Sequence, residues 1–289
     1  MATLTWYLGP IGNLVQIPAP AKPAEVPHAI PGGVLEALGG AVTVDRTGYA
    51  ARSWRMEWPY LTEDNLTYLE AVGNGLVKGP LRLLDPMRRN RLPRRIAAAG
   101  SLRRSATDFT KTVGNTPTWV AAADPPSTVP VRGAISWQRT ATTAGSLTPA
   151  SSADRVPCIV GEQVRASIWV RNATIQAAAA VDAWDSAGSS SRTTGTATTL
   201  SVSTWTQLTV TYTVASGRVS LSPALVVANG QAASTLHATG WQISLSSEPT
   251  TWTVGGGTPV VAASELAQNY YLFDVPRLGW QMTLRETLT

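Results

Sequence analysis

The chain has 289 residues, 44% hydrophobic and only 14% charged, enough for one large or two ordinary domains and poor in the charged faces of amphipathic helices. No run approaches the roughly 18 apolar residues of a membrane span. Met1–Pro10 lacks the regions of a signal peptide, and the single Cys158 excludes an intrachain disulfide, so a leaderless protein made in a reducing cytosol is expected. The formal charge of +5 is local: Arg88, Arg89, Arg91, Arg94, Arg95, Arg103 and Arg104 lie between Met87 and Ser105 without an acid, and subtracting these seven leaves −2.

In chain order, Thr3–Leu8 and Asn13–Ile17 read as short strands, followed by a Pro/Ala-rich extended arm over Pro18–Pro31. Ala41–Arg46 and Arg52–Pro59 alternate with period two. In the second, Trp54, Met56 and Trp58 face one way and Ser53, Arg55 and Glu57 the other, the pattern of a sheet with one buried face. A helix follows. Thr62 caps it, Glu63 and Asp64 complement its dipole, and Leu61 and Leu66 form a hydrophobic staple. Leu66, Leu69 and Val72 form its inward stripe, and Gly73–Asn74–Gly75 stops it. Leu76–Leu84 is the next strand, closed by Asp85–Pro86, and the arginine-rich loop comes after it.

From about Thr107 the texture turns to Ala, Ser and Thr. Strands are expected at Gly133–Thr140, Glu162–Asn172, Ile175–Trp184, Trp205–Val214, Gly217–Val227 and Thr235–Leu245, with turn signals between them and no competing helical period. Many strands at this spacing predict a sandwich or jelly roll. A Gly-rich linker, Gly255–Pro259, leads to strands at Tyr270–Val275 and Leu278–Leu288; in the latter Trp280, Met282 and Leu284 alternate with Gln281, Thr283 and Arg285. That last strand is expected to complete the N-terminal sheet. The fold expected is therefore mainly β: a discontinuous scaffold with one short helix over 1–106 and 255–289, and an inserted β-sandwich over 107–254.

Residues that carry chemistry are sparse, and catalysis is not expected. His28 and His237 stand in unrelated contexts, neither near a second His or a Cys at zinc-ligand spacing. No Gly-x-Ser-x-Gly elbow and no Walker lysine occur. Asp182 and Asp185 are the nearest paired carboxylates, but Asp185-Ser186-Ala187-Gly188 reads as a turn. The arginine run lacks interleaved aromatics for base stacking, so nucleic acid is not expected as a partner.

The tryptophans say more. In Glu162–Asn172 the apolar residues Val164, Ala166, Ile168 and Val170 leave Arg165, Trp169 and Arg171 on the opposite face. In the next strand Asp182 and Trp184 oppose Val181 and Ala183. An aromatic plane beside hydrogen-bonding groups suits a pyranose, which offers an apolar C–H face edged by hydroxyls. Packing of the rings under a loop or against a subunit is the other reading, and parity alone leaves both open.

Two resemblances follow from these residues. The pattern Tyr49, Arg52-Ser53-Trp54-Arg55-Met56-Glu57-Trp58, a helix, Gly79-Pro80-Leu81-Arg82-Leu83-Leu84-Asp85-Pro86 and Asn90-Arg91-Leu92-Pro93, with Tyr270–Leu288, resembles minor tail proteins of siphophages, above all the distal tail scaffold. It implies a virion protein of the tail tip, a ring, usually a hexamer, between tail tube protein and tip hub protein, with the 18–31 arm and Arg88, Arg89, Arg91, Arg94 and Arg95 as natural subunit contacts. The stretch Gly133–Val260, with Glu162–Arg171, Val181–Gly188, Leu200–Val214, Gly240-Trp241-Gln242 and Pro249-Thr250-Thr251-Trp252, is similar to carbohydrate-binding jelly-roll modules. It implies a host cell-wall glycan as partner, with Trp169, Trp184, Asp182, Arg165 and Arg171 as binding residues. Some such modules hold a structural calcium; no compact acidic cluster fixes one here, so no cofactor or metal is expected. A tail adhesin without a ring-forming role is the alternative.

Overall fold

The computed structural model describes residues 5–21, 24–26, 34–36, 42–44, 51–101, 104–122, 124–271 and 277–287. The chain is mainly β and divides into two compact units: 1–10, 14–83 and 259–289 form the first, 11–13 and 84–258 the second. The opening segment contributes β1 (Trp6–Gly9), β2 (Val15–Ile17), β3 (Ala24–Val26), β4 (Val34–Glu36), β5 (Val42–Val44), β6 (Ser53–Trp58), helix α1 (Glu63–Gly73) and β7 (Leu81–Leu84). The middle contributes α2 (Arg94–Ala97), β8 (Phe109–Lys111), β9 (Thr118–Ala121), β10 (Gly133–Gln138), β11 (Gly145–Pro149) and β12 (Val156–Pro157). It continues with β13 (Gln163–Arg171), β14 (Gln176–Asp185), β15 (Ser190–Thr194), β16 (Thr198–Thr199), β17 (Thr206–Thr213), β18 (Arg218–Val227) and β19 (Thr235–Leu245), and β20 (Val260–Tyr271) and β21 (Arg277–Glu286) close the chain.

In the first unit seven strands pair in the order β2-β1-β7-β20-β21-β6-β3, and β4 and β5 form a separate hairpin. The period-two pattern explains the centre of the sheet. Trp54, Met56 and Trp58 of β6 stand opposite Leu284, Met282 and Trp280 of β21. Leu69 and Val72 of α1 belong to the same buried cluster. Each buried tryptophan removes an area worth on the order of 4–6 kcal/mol before ordering entropy is charged against it. Thr62 caps α1 by accepting a hydrogen bond from the Asn65 amide at 3.4 Å, and Gly75 takes the left-handed conformation (φ 69°) that turns the chain away. Across the sheet Arg52 is paired with Glu286 at 3.0 Å. Of the 18–31 arm, residues 18–21 and 24–26 are described, and the latter, β3, pairs with β6 as an edge strand of this chain's own sheet. Residues 22–23 and 27–31 of the arm, His28 among them, lie outside the described residues, as do 272–276 of the expected Tyr270–Val275 strand.

The second unit is a β-sandwich. One sheet runs β17-β13-β19-β10-β9; the other runs β15-β14-β18-β11-β8, with β12 and β16 paired to β18 and β14. Val164, Ala166, Ile168 and Val170 of β13 share one core with Ala177, Ala179, Val181 and Ala183 of β14. This unit begins earlier than the sequence reading places it: residues 84–106 belong here and not to the scaffold. The Asn90 side-chain amide donates to the carbonyls of Trp241 (3.0 Å) and Thr253 (2.9 Å), and Ile96 and Ala97 join the sandwich core. The expected linker is likewise a packed crossing. Residues 255–259 are buried, and a Cβ at Gly257 would lie 2.8 Å from the Arg88 carbonyl oxygen, so glycine is required for the close approach.

Candidate functional site

On the five-stranded sheet, strand parity sends Arg165, Ser167, Trp169 and Arg171 outward, away from the core. On β19 the outward set changes along the strand. Leu236 and Ala238 are core residues, a bulge intervenes, and Trp241 and Ile243 then take over. Gly240 sits at this switch with φ 59°.

The outward face has a covered half and an open half. Over the covered half lies the segment after β19. Arg165 donates to the backbone carbonyls of Ser246 and Glu248, Gln207 to that of Thr250 (3.2 Å), and the Gln242 side-chain oxygen Oε1 accepts from the Thr253 backbone N–H (3.1 Å). Thr239, Gln242 and Ser244 are consequently buried. Arg165, expected as a ligand contact, holds this cover in place. Trp169 is half-buried against the core, beside Gly240 and Val129.

The open half carries a row of side chains at one level across the sheet. Arg171 pairs with His237, His237 with Ser136, and Ser136 with Thr118. Trp205, one residue before β17, lies at the other end, with the Arg171 guanidinium 4.7 Å from its ring centroid. Its indole N–H donates to the Asp124 carbonyl, which fixes the ring. Trp205, Arg171, His237 and Ser136 are half-buried and Thr118 is exposed. Burial and the Arg171 charge both lower the His237 pKa from its ordinary value, so the imidazole is neutral at pH 7. Asn172, at the end of β13 with φ 74°, places its amide nitrogen 3.5 Å from His237 Nε2.

Asp182 and Trp184 point outward from the opposite sheet, on the far side of the sandwich from Trp169. The five expected sugar contacts thus fall on two surfaces. Asp182 is only 6% exposed and binds Arg192 through both oxygens, at 2.6 and 2.7 Å. The Arg155 guanidinium lies 3.5 Å from the Trp184 ring centroid. An open groove of about 400 Å³ lined by Thr193, Thr194, Gly195, Thr196, Thr209, Val210 and Thr211 runs where the edge strands β15 and β17 approach.

Of the five arginines expected at a subunit interface, two are buried within the sandwich unit. Arg91 is paired with Glu162 at 2.7 Å, and Arg95 with Asp154 at 2.6 Å and Asp108 at 3.4 Å. A buried guanidinium needs a counter-charge, and these acids, distant in sequence, supply it. Arg88 and Arg94 are half-buried and Arg89 is exposed. Among the described residues no group of three or more His, Cys, Asp or Glu side chains could hold a metal ion.

Sequence reasoning missed Trp205, His237, Ser136 and Thr118 as one row. Three strand registers bring them together, and no local motif signals that.

No family model matches the chain, and no curated protein does. Among solved structures it is similar to the enzymatically active domain of the bacteriophage CBA120 tailspike protein 4 (13% identity, TM-score 0.40, 54% of this chain and 21% of that one). It is also similar to the CBM22-1 xylan-binding domain of Paenibacillus barcinonensis Xyn10C (14%, 0.39, 50% and 90%). A third is a xylan-binding domain of CBM 22 (12%, 0.40, 51% and 92%). The chain spans about a fifth of the length of that tailspike domain. At these scores the likenesses assign no function to it.

Proposed function

We propose that the chain is a non-catalytic structural protein of a phage tail tip whose β-sandwich displays a glycan-binding surface. The observation that carries the binding half is the open row Trp205–Arg171–His237–Ser136–Thr118. It sets an aromatic ring, a guanidinium, an imidazole and two hydroxyls along a line that crosses four strands and ends on the residue before a fifth. A linear polysaccharide needs such a run of apolar and hydrogen-bonding contacts. Among the described residues the row holds no carboxylate, and no hydrogen bond joins the Ser136 hydroxyl to the neighbouring His237 imidazole as a nucleophile to its base, which supports recognition without chemistry.

The scaffold half rests on the sequence resemblance, with a ring partnered by tail tube and tip hub proteins as its expected assembly. The alternative, an adhesin without a ring role, gains support from one observation: Arg91 and Arg95, two of the expected interface arginines, are occupied by acids of their own chain. The test is a panel of bacterial wall polysaccharides presented to the full chain and to Trp205→Ala. Retention by at least one polysaccharide, weakened about tenfold or more in the variant, is expected from the loss of a stacked ring. No retention by any would overturn the reading.

A further inference from the structure

The arginines of the sandwich differ in how their charge is met. Arg91, Arg95 and Arg192 each take a carboxylate, and Arg139, Arg165 and Arg218 donate to backbone carbonyls. Arg171 does neither: its guanidinium lies over Trp205, and its neighbour in register is His237, a second group that becomes cationic on protonation. Strands β17, β10 and β9 carry no ionisable acid or base facing this pair, and the turns at 173–175 and 228–234 carry no charge. From the loop between β9 and β10 Asp124 approaches, contributing its backbone carbonyl to Trp205; its side chain is exposed.

We infer that the row takes an anionic glycan, its carboxylate or phosphate seated between Arg171 and His237 with the sugar beside Trp205; this rests on the glycan-binding reading above. A half-buried guanidinium loses hydration without gaining a counter-ion, and an anion between the two groups restores it. Arg is suited to either anion because its planar fork donates two parallel hydrogen bonds. The Asn172 amide, beside His237, adds a neutral donor. The sign of the pH dependence follows. In the free protein His237 is neutral at pH 7, its pKa lowered by burial and by Arg171. A bound anion favours the imidazolium, so binding takes up a proton and tightens as the pH falls.

The experiment is titration calorimetry of the full chain at 0.15 M salt with three soluble probes: polygalacturonate (carboxylate), poly(glycerol phosphate) (phosphate) and a neutral galactan. Binding of one or both polyanions is expected, about three- to tenfold tighter at pH 5.5 than at pH 7.5, the span in which an unperturbed imidazole changes charge. Arg171→Gln should weaken it about tenfold or more, the worth of a charge-assisted hydrogen bond. Lys111→Gln, on the opposite sheet, should leave it unchanged and so exclude bulk charge attraction. His237→Gln should remove the pH dependence; if Arg171→Gln fails to fold, that variant decides. The preferred polyanion identifies the anion. Binding of the galactan alone would overturn this inference and leave the glycan-binding reading standing, whereas binding of none, together with an empty polysaccharide panel, would overturn both. Polyanion binding indifferent to both variants would also refute the site.

Discussion

Replacing Trp169 by alanine separates a packing role from a ligand role. A Cβ at Gly240 would meet Trp169 Cδ1 at 2.9 Å and Val129 Cγ2 at 3.0 Å, which marks how closely the indole and the valine approach this bulge. Fully buried aromatic residues lose about 3–5 kcal/mol on truncation to alanine. Trp169 is half-buried, so about 2–3 kcal/mol is expected for it. A unit of this size responds with roughly 2–4 °C per kcal/mol, so the melting temperature should fall by about 5–10 °C. The assay is a near-ultraviolet circular dichroism melt, paired with polysaccharide binding at 20 °C, well below the transition. Retained binding with a lowered melting temperature is expected, and Trp205→Ala should show the reverse. An unchanged melting temperature with binding lost would refute this account of Trp169 and return it to the sugar platform.

The pair Arg52–Glu286 joins the first unit's opening and closing segments, with side chains only 4% and 9% exposed. Glu286→Gln leaves a buried guanidinium short of charge, about 3–5 kcal/mol, and should accelerate hydrogen exchange in 53–58 and 277–286. Unaltered exchange there would mean the pair contributes nothing. Cys158 is buried, and desolvation, then Glu162, raise its pKa to about 12, partly offset by Arg91. Its thiol should resist iodoacetamide at pH 8 in the folded chain and react once the chain is denatured; rapid native labelling would contradict its placement. His237 has a folded pKa below its ordinary 6.5, so its contribution is fully present above that value. Stability is then lost as the pH falls through the folded pKa, because the unfolded chain binds the proton more readily. Chemical denaturation between pH 7.5 and 5 should show this loss, and His237→Gln should lessen it.

Much of the fold was legible because period two is a strong local signal. Trp54-Arg55-Met56-Glu57-Trp58 and Trp280-Gln281-Met282-Thr283-Leu284 displayed their buried faces in the sequence, and the cap at Thr62 marked the helix start. The boundary at 84 was hidden because what ties residues 90–97 to the sandwich is long-range: Asn90 reaches Trp241 and Thr253, and Arg95 reaches Asp154. Read locally, these arginines made a basic loop. Short strands such as β9, Thr118–Ala121, were also missed, since four residues carry too little periodicity. Parity correctly turned Trp169 and Trp184 outward, yet it could not say that they leave opposite sheets or that Arg155 lies over one of them. The bulge at Gly240 illustrates the same limit, because a single residue reverses which side of β19 faces the core.

The most direct measurement of the central claim is a hydrogen-exchange footprint of the full chain with and without a polysaccharide it retains. Slowed exchange should fall on backbone amides of 169–172, 205–207 and 235–238, the stretches that carry the open row. Protection confined instead to 182–192, or to the threonine groove at 193–196 and 209–211, would place the ligand elsewhere and contradict the account.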